Sequence, residues 1–597
     1  MIEARFDDLT GDAPSFRLTD PAGVLEATRP DEVIPILTAA EAAASRGLWV
    51  AGFVAYEAAP GLDPSLVVRG RNPGDPFDRL PLAWFAMFQH RQETVLPSPR
   101  DDAVPSSDVW VPSIDRERYD DAIARIREHI AAGDTYQVNH TLRLRSTVRG
   151  DERGLYRDLC YAQRGAHAAY LNAGRYRILS ASPELFFRLE GGSLTTRPMK
   201  GTAQRGRWLA EDDAIVATLA SSVKDRAENA MIVDLLRNDL GRIAQPGAVR
   251  WSKVFDPERF ETVWQLTSTV TADLRAGIGI ADVFRALFPS GSITGAPKVR
   301  TMAIIAELED TPRGVYCGAV GFLNPASAGP PSAGFNVAIR TVVVDAESGT
   351  AEYGVGGGIT WDSSAAGEYD ETVAKAKLLT ARRPPFELLE SMRSDPGEPV
   401  RRLELHVDRL RSSATYFGFA FDEGAVRAAI QEAVAGADRP VKIRLRLSRA
   451  GRIAMSATPV GRGAPEPIRL AVDDVPIDPT DVFVFHKTTL RRRYEESRAR
   501  HPDADDTLLI NEIGQITETS VANVAAKLDG RWWTPPVAAG LLPGTERSAL
   551  LADGTLQERP VSVEEARGAE LAVINSVRGW RRAVLTGQPW RARGERS

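Results

Sequence analysis

One lysine and three glutamates carry the first chemistry legible in this chain. Lys200 lies in Pro198-Met199-Lys200-Gly201-Thr202, a Pro/Gly-flanked segment read as a stiff turn between two strands. A neutral amine held by such a turn is a nucleophile, whereas a surface lysine is only a solvated charge. Downstream, Glu228 opens a segment whose apolar positions Met231, Ile232, Leu235 and Leu236 recur at helical spacing. Glu368 and Glu371, three apart, share one face of a further helix. Like charges on one face repel, and that cost is offset if a divalent cation sits between them and Glu228, because carboxylate oxygens suit Mg²⁺. From this spacing alone an exposed acidic helix end is the plainer explanation. A run rich in Gly, Ser and Thr, from Phe288 to Lys298, precedes a helix expected over Val299 to Leu308 and would turn backbone N–H groups towards an anion. It contains no Gly-Lys-Ser/Thr and is no Walker loop. Arg340, expected to project from a strand, has the fork geometry to clamp a carboxylate.

These residues need several domains to position them. At 597 residues the chain suits about two to four domains. Its 43% hydrophobic and 26% charged content is that of soluble globular proteins, and a net charge of -6 argues against nucleic-acid binding. The first residues lack a charged-then-apolar leader, and no apolar run approaches the roughly 20 residues of a membrane span, so a cytoplasmic protein without membrane contact is expected. Cys160 and Cys317 are the only cysteines, so any metal should be held by oxygen. The paired prolines in Ala381-Arg382-Arg383-Pro384-Pro385 end a helical run and mark a linker over 381–385. Asp101 to Pro112, rich in Pro, Ser and Asp, sets off a leader, residues 1–112, from a catalytic domain, 113–380; it reads equally as a long surface loop. The turn around Pro396-Gly397 falls inside the last domain, 386–597, because Phe386-Glu387-Leu388-Leu389-Glu390 alternates like a first strand. The polar tail after Trp590 is expected to fray.

Taken in order, Ser182-Pro183-Glu184-Leu185, Pro198-Met199-Lys200-Gly201-Thr202, Glu228 to Gly241, Gly291 to Lys298, Ala338-Ile339-Arg340-Thr341 and Gly356 to Lys375 resemble the chorismate-utilising enzymes, over about residues 115 to 380. That family includes anthranilate, isochorismate and salicylate synthases and aminodeoxychorismate synthase component I. The resemblance implies a two-lobed antiparallel β-sandwich with surrounding helices. It also implies a metal site of Glu228, Glu368 and Glu371 holding Mg²⁺ on the ring carboxylate of chorismate. Lys200 would attack C2 while the 4-hydroxyl leaves with a proton from Glu184, after which ammonia adds at C4 and expels the lysine. Ser292, Thr294, Arg340, Tyr353, Gly356, Gly357 and Lys375 would fix the substrate. A lysine in Pro-x-Lys-Gly-Thr is typical of aminodeoxychorismate synthases, where anthranilate synthases usually carry alanine. Gln265 stands where many relatives have histidine. Gly52-Phe53-Val54-Ala55-Tyr56-Glu57 resembles a segment near the family's tryptophan pocket.

Neither cysteine lies in a Gly-x-Cys-x-Gly elbow, so the implied ammonia source is a separate glutamine amidotransferase subunit. From Phe386 onward the sequence resembles fold-type IV pyridoxal-phosphate enzymes, an α/β fold, through Leu405-His406-Val407-Asp408-Arg409, His486-Lys487-Thr488-Thr489, Thr517-Glu518-Thr519-Ser520, Leu542-Pro543-Gly544-Thr545-Glu546-Arg547 and Asn575-Ser576-Val577. The resemblance implies that Lys487 carries pyridoxal 5'-phosphate and later moves protons. Glu518 would face the pyridinium nitrogen, and Arg409, Thr545 and Ser576 would hold the phosphate. Such domains build their sites at a dimer interface, so a homodimer through this half is expected. The combined α+β and α/β chain reads as a bifunctional 4-aminobenzoate-forming enzyme: amination of chorismate, then lyase elimination of pyruvate. The alternatives are an anthranilate or other aminated-chorismate synthase fused to an aminotransferase, and a pair in which one half is a silent scaffold.

Overall fold

The computed structural model describes residues 2–98, 107–148, 150–326, 332–380 and 384–586. The expected linker residues 381–383, the stretch 101–106 and the tail after Trp590 lie outside the described residues. The chain forms two units, Met1–Arg205 with Val216–Pro384, and Gly206–Ile215 with Pro385–Ser597. No helix among the described residues is long and apolar enough to cross a membrane.

In the first unit alternation along single strands sets up the layers. Strand Trp49–Val54 sends Val50 and Val54 into a core shared with helices Val33–Ser45 and Ile280–Leu287, and Ala51 and Phe53 into a second core. Strand Tyr176–Ser182 sends Tyr176 and Ile178 into that second core, and Leu179 and Ala181 into a third one with helices Arg116–Ala131 and Glu152–Gln163. Side chains of period two, buried on both faces, therefore make two sheet layers around a common apolar interior with helices outside, a β-sandwich. The leader shares this fold. Its strand Trp49–Val54 pairs antiparallel with Ala319–Leu323, and Glu3–Asp7 with His167–Ala173.

The strands also place the site. Lys200 sits within strand Met199–Gln204 rather than in a turn, because that segment pairs with Val263–Leu274. The register slips between Met199 and Thr202, and Gly201 adopts φ +91°, so a bulge re-aims the lysine. Arg340 falls between strands Ala333–Val337 and Thr341–Asp345 instead of inside one, at φ +51°, a left-handed conformation that breaks the strand. The expected acidic helices are Val223–Gly241 and Ala365–Ala376, with Ser222 and Ser364 as their N-caps.

The second unit holds two sheets. Leu388–Ser394, Val441–Leu447 and Ile453–Pro459 pair antiparallel and pack beneath helices Leu403–Phe417 and Glu423–Val434. The other sheet is mixed, with Ile468–Val472 parallel to both Asp506–Ile510 and Gly579–Thr586. Gly206–Ile215 joins this unit: the Tyr416 hydroxyl donates to the Gly206 carbonyl at 2.6 Å, and Trp208 packs 5.1 Å from the Phe485 ring.

Candidate active sites

A cavity of about 310 Å³ in the first unit gathers Glu184, Lys200, Glu228, Ser292, Arg340, Tyr353, Gly356, Gly357, Glu368, Glu371 and Lys375. The Lys200 amine lies 3.9 Å from Glu228 Oε2, its side chain 14% exposed. Burial pushes its pKa down, the Glu228 carboxylate opposes that, and the Lys375 ammonium adds to it. Strand Thr350–Ile359 makes room for the amine by carrying glycine: a Cβ on Gly358 would stand 2.5 Å from Lys200 Nζ and 2.6 Å from Gln137 Nε2. Glu184, 3% exposed, follows strand Tyr176–Ser182 and accepts a hydrogen bond from the Ser292 hydroxyl at 2.7 Å. Burial raises its pKa to about 7 against the pull of that hydroxyl and of Lys200, so Glu184 can hold a proton near neutrality.

The three glutamates expected to hold a metal line this cavity from two helices. Glu371 is paired with Lys375 at 2.8 Å, and Glu368 accepts from the Ser363 hydroxyl at 2.6 Å. Burial raises the Glu368 pKa, with the Glu371 charge adding to it; burial also pushes Glu371 up, but Lys375 outweighs it and the net shift is downward. Three carboxylates lining one cavity supply the oxygen donors that a hard divalent cation takes. Glu228 faces Lys200 and Glu371 pairs with Lys375, and among the described residues only Asp473, Asp474 and His501 bring ligand atoms within 4.8 Å of one another. Those three belong elsewhere, with Asp473 engaged by Arg500 at 2.6 Å.

Two expectations need correction. Thr294 does not line the cavity: its hydroxyl is buried and donates to the Ser290 carbonyl at 2.9 Å. The Ser292 region is a short 3-10 turn, Gly291–Ile293, while Pro297 caps the helix Lys298–Leu308, so the helix dipole does not point from Ser292 and Thr294. Lys375 instead donates to the Gly356 carbonyl at 2.9 Å, tying the glycine strand to the acidic helix. Burial lowers the pKa of Arg340 and raises that of Tyr353 to about 12. Gln265 lines the cavity and donates to the Thr202 hydroxyl at 3.4 Å.

The sequence reading missed Gln137, fully buried with neither side-chain amide atom hydrogen-bonded among the described residues, and the pair Glu309 and Arg313. Arg313 donates to the carbonyls of Ile293 and Asn139, both residues of the cavity wall. Four-residue spacing between Glu309 and Arg313 was the only available signal.

A cavity of about 590 Å³ in the second unit is lined by Arg409, Lys487, Glu518, Thr545 and Ser576. Burial lowers the Lys487 pKa to about 8, helped by Arg409 and opposed by Glu390. Glu518 accepts from the Tyr494 hydroxyl at 2.9 Å and the Leu542 N–H at 3.2 Å, and burial lifts its pKa to about 7. The Arg409 guanidinium grips the buried Glu390 carboxylate at 2.7 and 2.8 Å and donates to the Pro543 carbonyl at 3.2 Å, with two of its five N–H donors remaining for an anion. Thr545 opens helix Thr545–Ala552 behind Gly544, where a Cβ would stand 2.0 Å from Asn523 Oδ1. A neutralisable amine, a buried carboxylate and a helix start with hydroxyls and an arginine fit pyridoxal 5'-phosphate: attachment point, ring-nitrogen partner and phosphate cradle.

Residues 12–381 match the family model described as chorismate binding enzyme, and the chain belongs to that family. The match begins far ahead of the motifs near residue 115, in keeping with the leader's strands being part of the sandwich. Residues 387–585 match the model for amino-transferase class IV, a fold-type IV domain that implies pyridoxal phosphate. An aminodeoxychorismate synthase component 1 from Klebsiella aerogenes is 44% identical over 270 residues, 45% of this chain and 58% of that protein. An anthranilate synthase component 1 from Aquifex aeolicus is 38% identical over 270 residues, 45% of this chain and 53% of that protein. The chain thus spans little more than half the length of these relatives. The crystal structure of anthranilate synthase component I from Streptococcus pneumoniae superposes with a TM-score of 0.54 at 26% identity, covering 62% of this chain and 93% of that one.

Proposed function

We propose that the chain makes 4-aminobenzoate in two steps, amination of chorismate at C4 in the first unit and elimination of pyruvate in the second. The observation that carries this reading is the Lys200 amine, held beside Glu228 and pushed towards its neutral form in one cavity with a protonatable Glu184. Lys200 attacks C2, the C4–O bond breaks, and Glu184 supplies the proton with which the hydroxyl leaves as water. Ammonia then forms the C4–N bond and the C2–N bond to Lys200 breaks, restoring the amine. Glu228, Glu368 and Glu371 would hold Mg²⁺, whose charge would anchor a substrate carboxylate. Arg340 and Lys375 complement the substrate's negative charge, and the glycines at 356 and 357 let it approach the backbone. The ammonia comes from a separate glutamine amidotransferase, and the protein works in the cytoplasm.

In the second unit, pyridoxal 5'-phosphate supplies an electron sink at the carbon bearing the substrate amine. Lys487, neutral above pH about 8, takes the C4 proton. The C3–O bond breaks, the enolpyruvyl group leaves to become pyruvate, and the ring becomes aromatic. Glu518, oriented by the Tyr494 hydroxyl, would face the cofactor's ring nitrogen. Supplying chorismate, Mg²⁺, ammonium and pyridoxal phosphate to the purified protein should yield 4-aminobenzoate and pyruvate in equal amounts. Formation of 2-aminobenzoate would reassign the first unit.

A further inference from the structure

The second cavity carries more positive charge than a cofactor phosphate requires. Among the described residues, nine basic side chains line it against three carboxylates. Each carboxylate is already engaged: Asp505 by Arg469 at 3.1 Å, Asp506 by the Ser520 hydroxyl, and Glu518 by Tyr494. Arg409 is likewise matched by Glu390. By contrast Lys442, Arg444, Arg491 and Arg578 have no carboxylate partner among the described residues; Arg491 and Arg578 donate to the carbonyls of Ser520 and Gly461. The strand Val441–Leu447 produces half of this cluster by alternation. It buries Val441, Ile443, Leu445 and Leu447 and turns Lys442 and Arg444 to the opposite face. Arg444 stands across from Ser391, whose carbonyl accepts the Ser576 hydroxyl, so the cluster adjoins the expected phosphate cradle. Arg491 is four residues beyond Lys487 and lowers the pKa of both Lys487 and Lys442, so its charge reaches from the reactive amine into the cluster. Unpaired cations concentrated in one cavity attract anions and discriminate by charge number.

We propose that Lys442, Arg444, Arg491 and Arg578 form a subsite for two carboxylates, so that the second unit selects cyclic amines bearing two carboxylates over ordinary monocarboxylate amino acids. The inference rests on the lyase reading above and gives it a specificity device. The test uses the full chain loaded with pyridoxal phosphate, with ligand binding read from the cofactor's visible absorbance. Isophthalate, a ring dicarboxylate, should bind at least tenfold more tightly than benzoate. In the double variant Lys442→Gln/Arg578→Gln that preference should vanish, with the visible band retained, while Lys442→Arg keeps it. The subsite is supported by this pattern whether or not the protein releases pyruvate from aminated chorismate, and pyruvate release separately tests the lyase reading. Equal affinity of the unaltered protein for isophthalate and benzoate, or an undiminished preference in the double variant, would overturn the subsite.

Discussion

Burial is the device that tunes three ionisable groups for transfer chemistry at the same time. Lys200 and Lys487 are both driven towards the neutral amine, and Glu184 towards the protonated acid. For Lys487 the sign is plain. Its pKa of about 8 lies below the usual lysine value, so the amine is free above pH 8 and protonated below it. The rate at which the apoprotein captures added pyridoxal phosphate, followed by visible absorbance, should rise with pH and level off just above 8; a rise continuing towards 10.5 would show an ordinary lysine. Glu184, with its pKa raised to about 7, is mostly protonated below that value, so as the proposed general acid it loses its proton as pH rises through 7. Glu184→Gln should therefore lower chorismate amination by about 10²- to 10⁴-fold, the range of general acid catalysis, and remove any decline in rate above pH 7. Steady-state pH profiles of the two proteins decide this.

At the scale of elements, glycines let strands and side chains come close. Strand Thr350–Ile359 approaches Lys200 and Gln137 at Gly358, and a methyl group there would collide with both. Gly358→Ala should displace the Lys200 amine and abolish amination while the sandwich, held by cores on both faces of its strands, still unfolds cooperatively. Circular dichroism with product analysis would register the split, and near-normal amination would refute it. The bulge at Lys200 explains why sequence alone suggested a turn. Pro198 and Gly201 are turn residues, but pairing with Val263–Leu274, about sixty residues away, keeps the segment in the sheet. Arg340 was misplaced because its left-handed backbone, between strands Ala333–Val337 and Thr341–Asp345, is one that arginine as a residue type does not signal. The acidic helices were legible because the recurrence of Met231, Ile232, Leu235 and Leu236 and the three-residue spacing of Glu368 and Glu371 are local signals, whereas their starts at Val223 and Ala365, capped by Ser222 and Ser364, were not read.

For the molecule as a whole, contiguous motifs revealed the families of both halves, whereas contacts distant in sequence stayed hidden. The leader carries no catalytic motif, and its place in the sandwich emerges from strand pairing. The cation cluster draws on residues from 442 to 578 and has no linear signature. Gly206–Ile215 was equally illegible, since it sits inside the first half of the chain yet groups with the second unit. Trp208 packs there against Phe485, so Trp208→Ala should destabilise that unit by roughly 2 kcal/mol, less than for a fully buried tryptophan. That corresponds to a melting shift of about 4–8 °C, readable as earlier loss of the cofactor band; an unchanged melting curve would contradict the assignment. The account as a whole turns on the amine at position 200. The most direct measurement compares the unaltered protein with Lys200→Ala, given chorismate, Mg²⁺ and ammonium, by chromatographic assay of the aminated product. The account predicts 4-amino product from the unaltered protein and at least a 10³-fold loss in the variant, as expected when a covalent nucleophile is removed; amination at C4 continuing at a comparable rate in Lys200→Ala would contradict it.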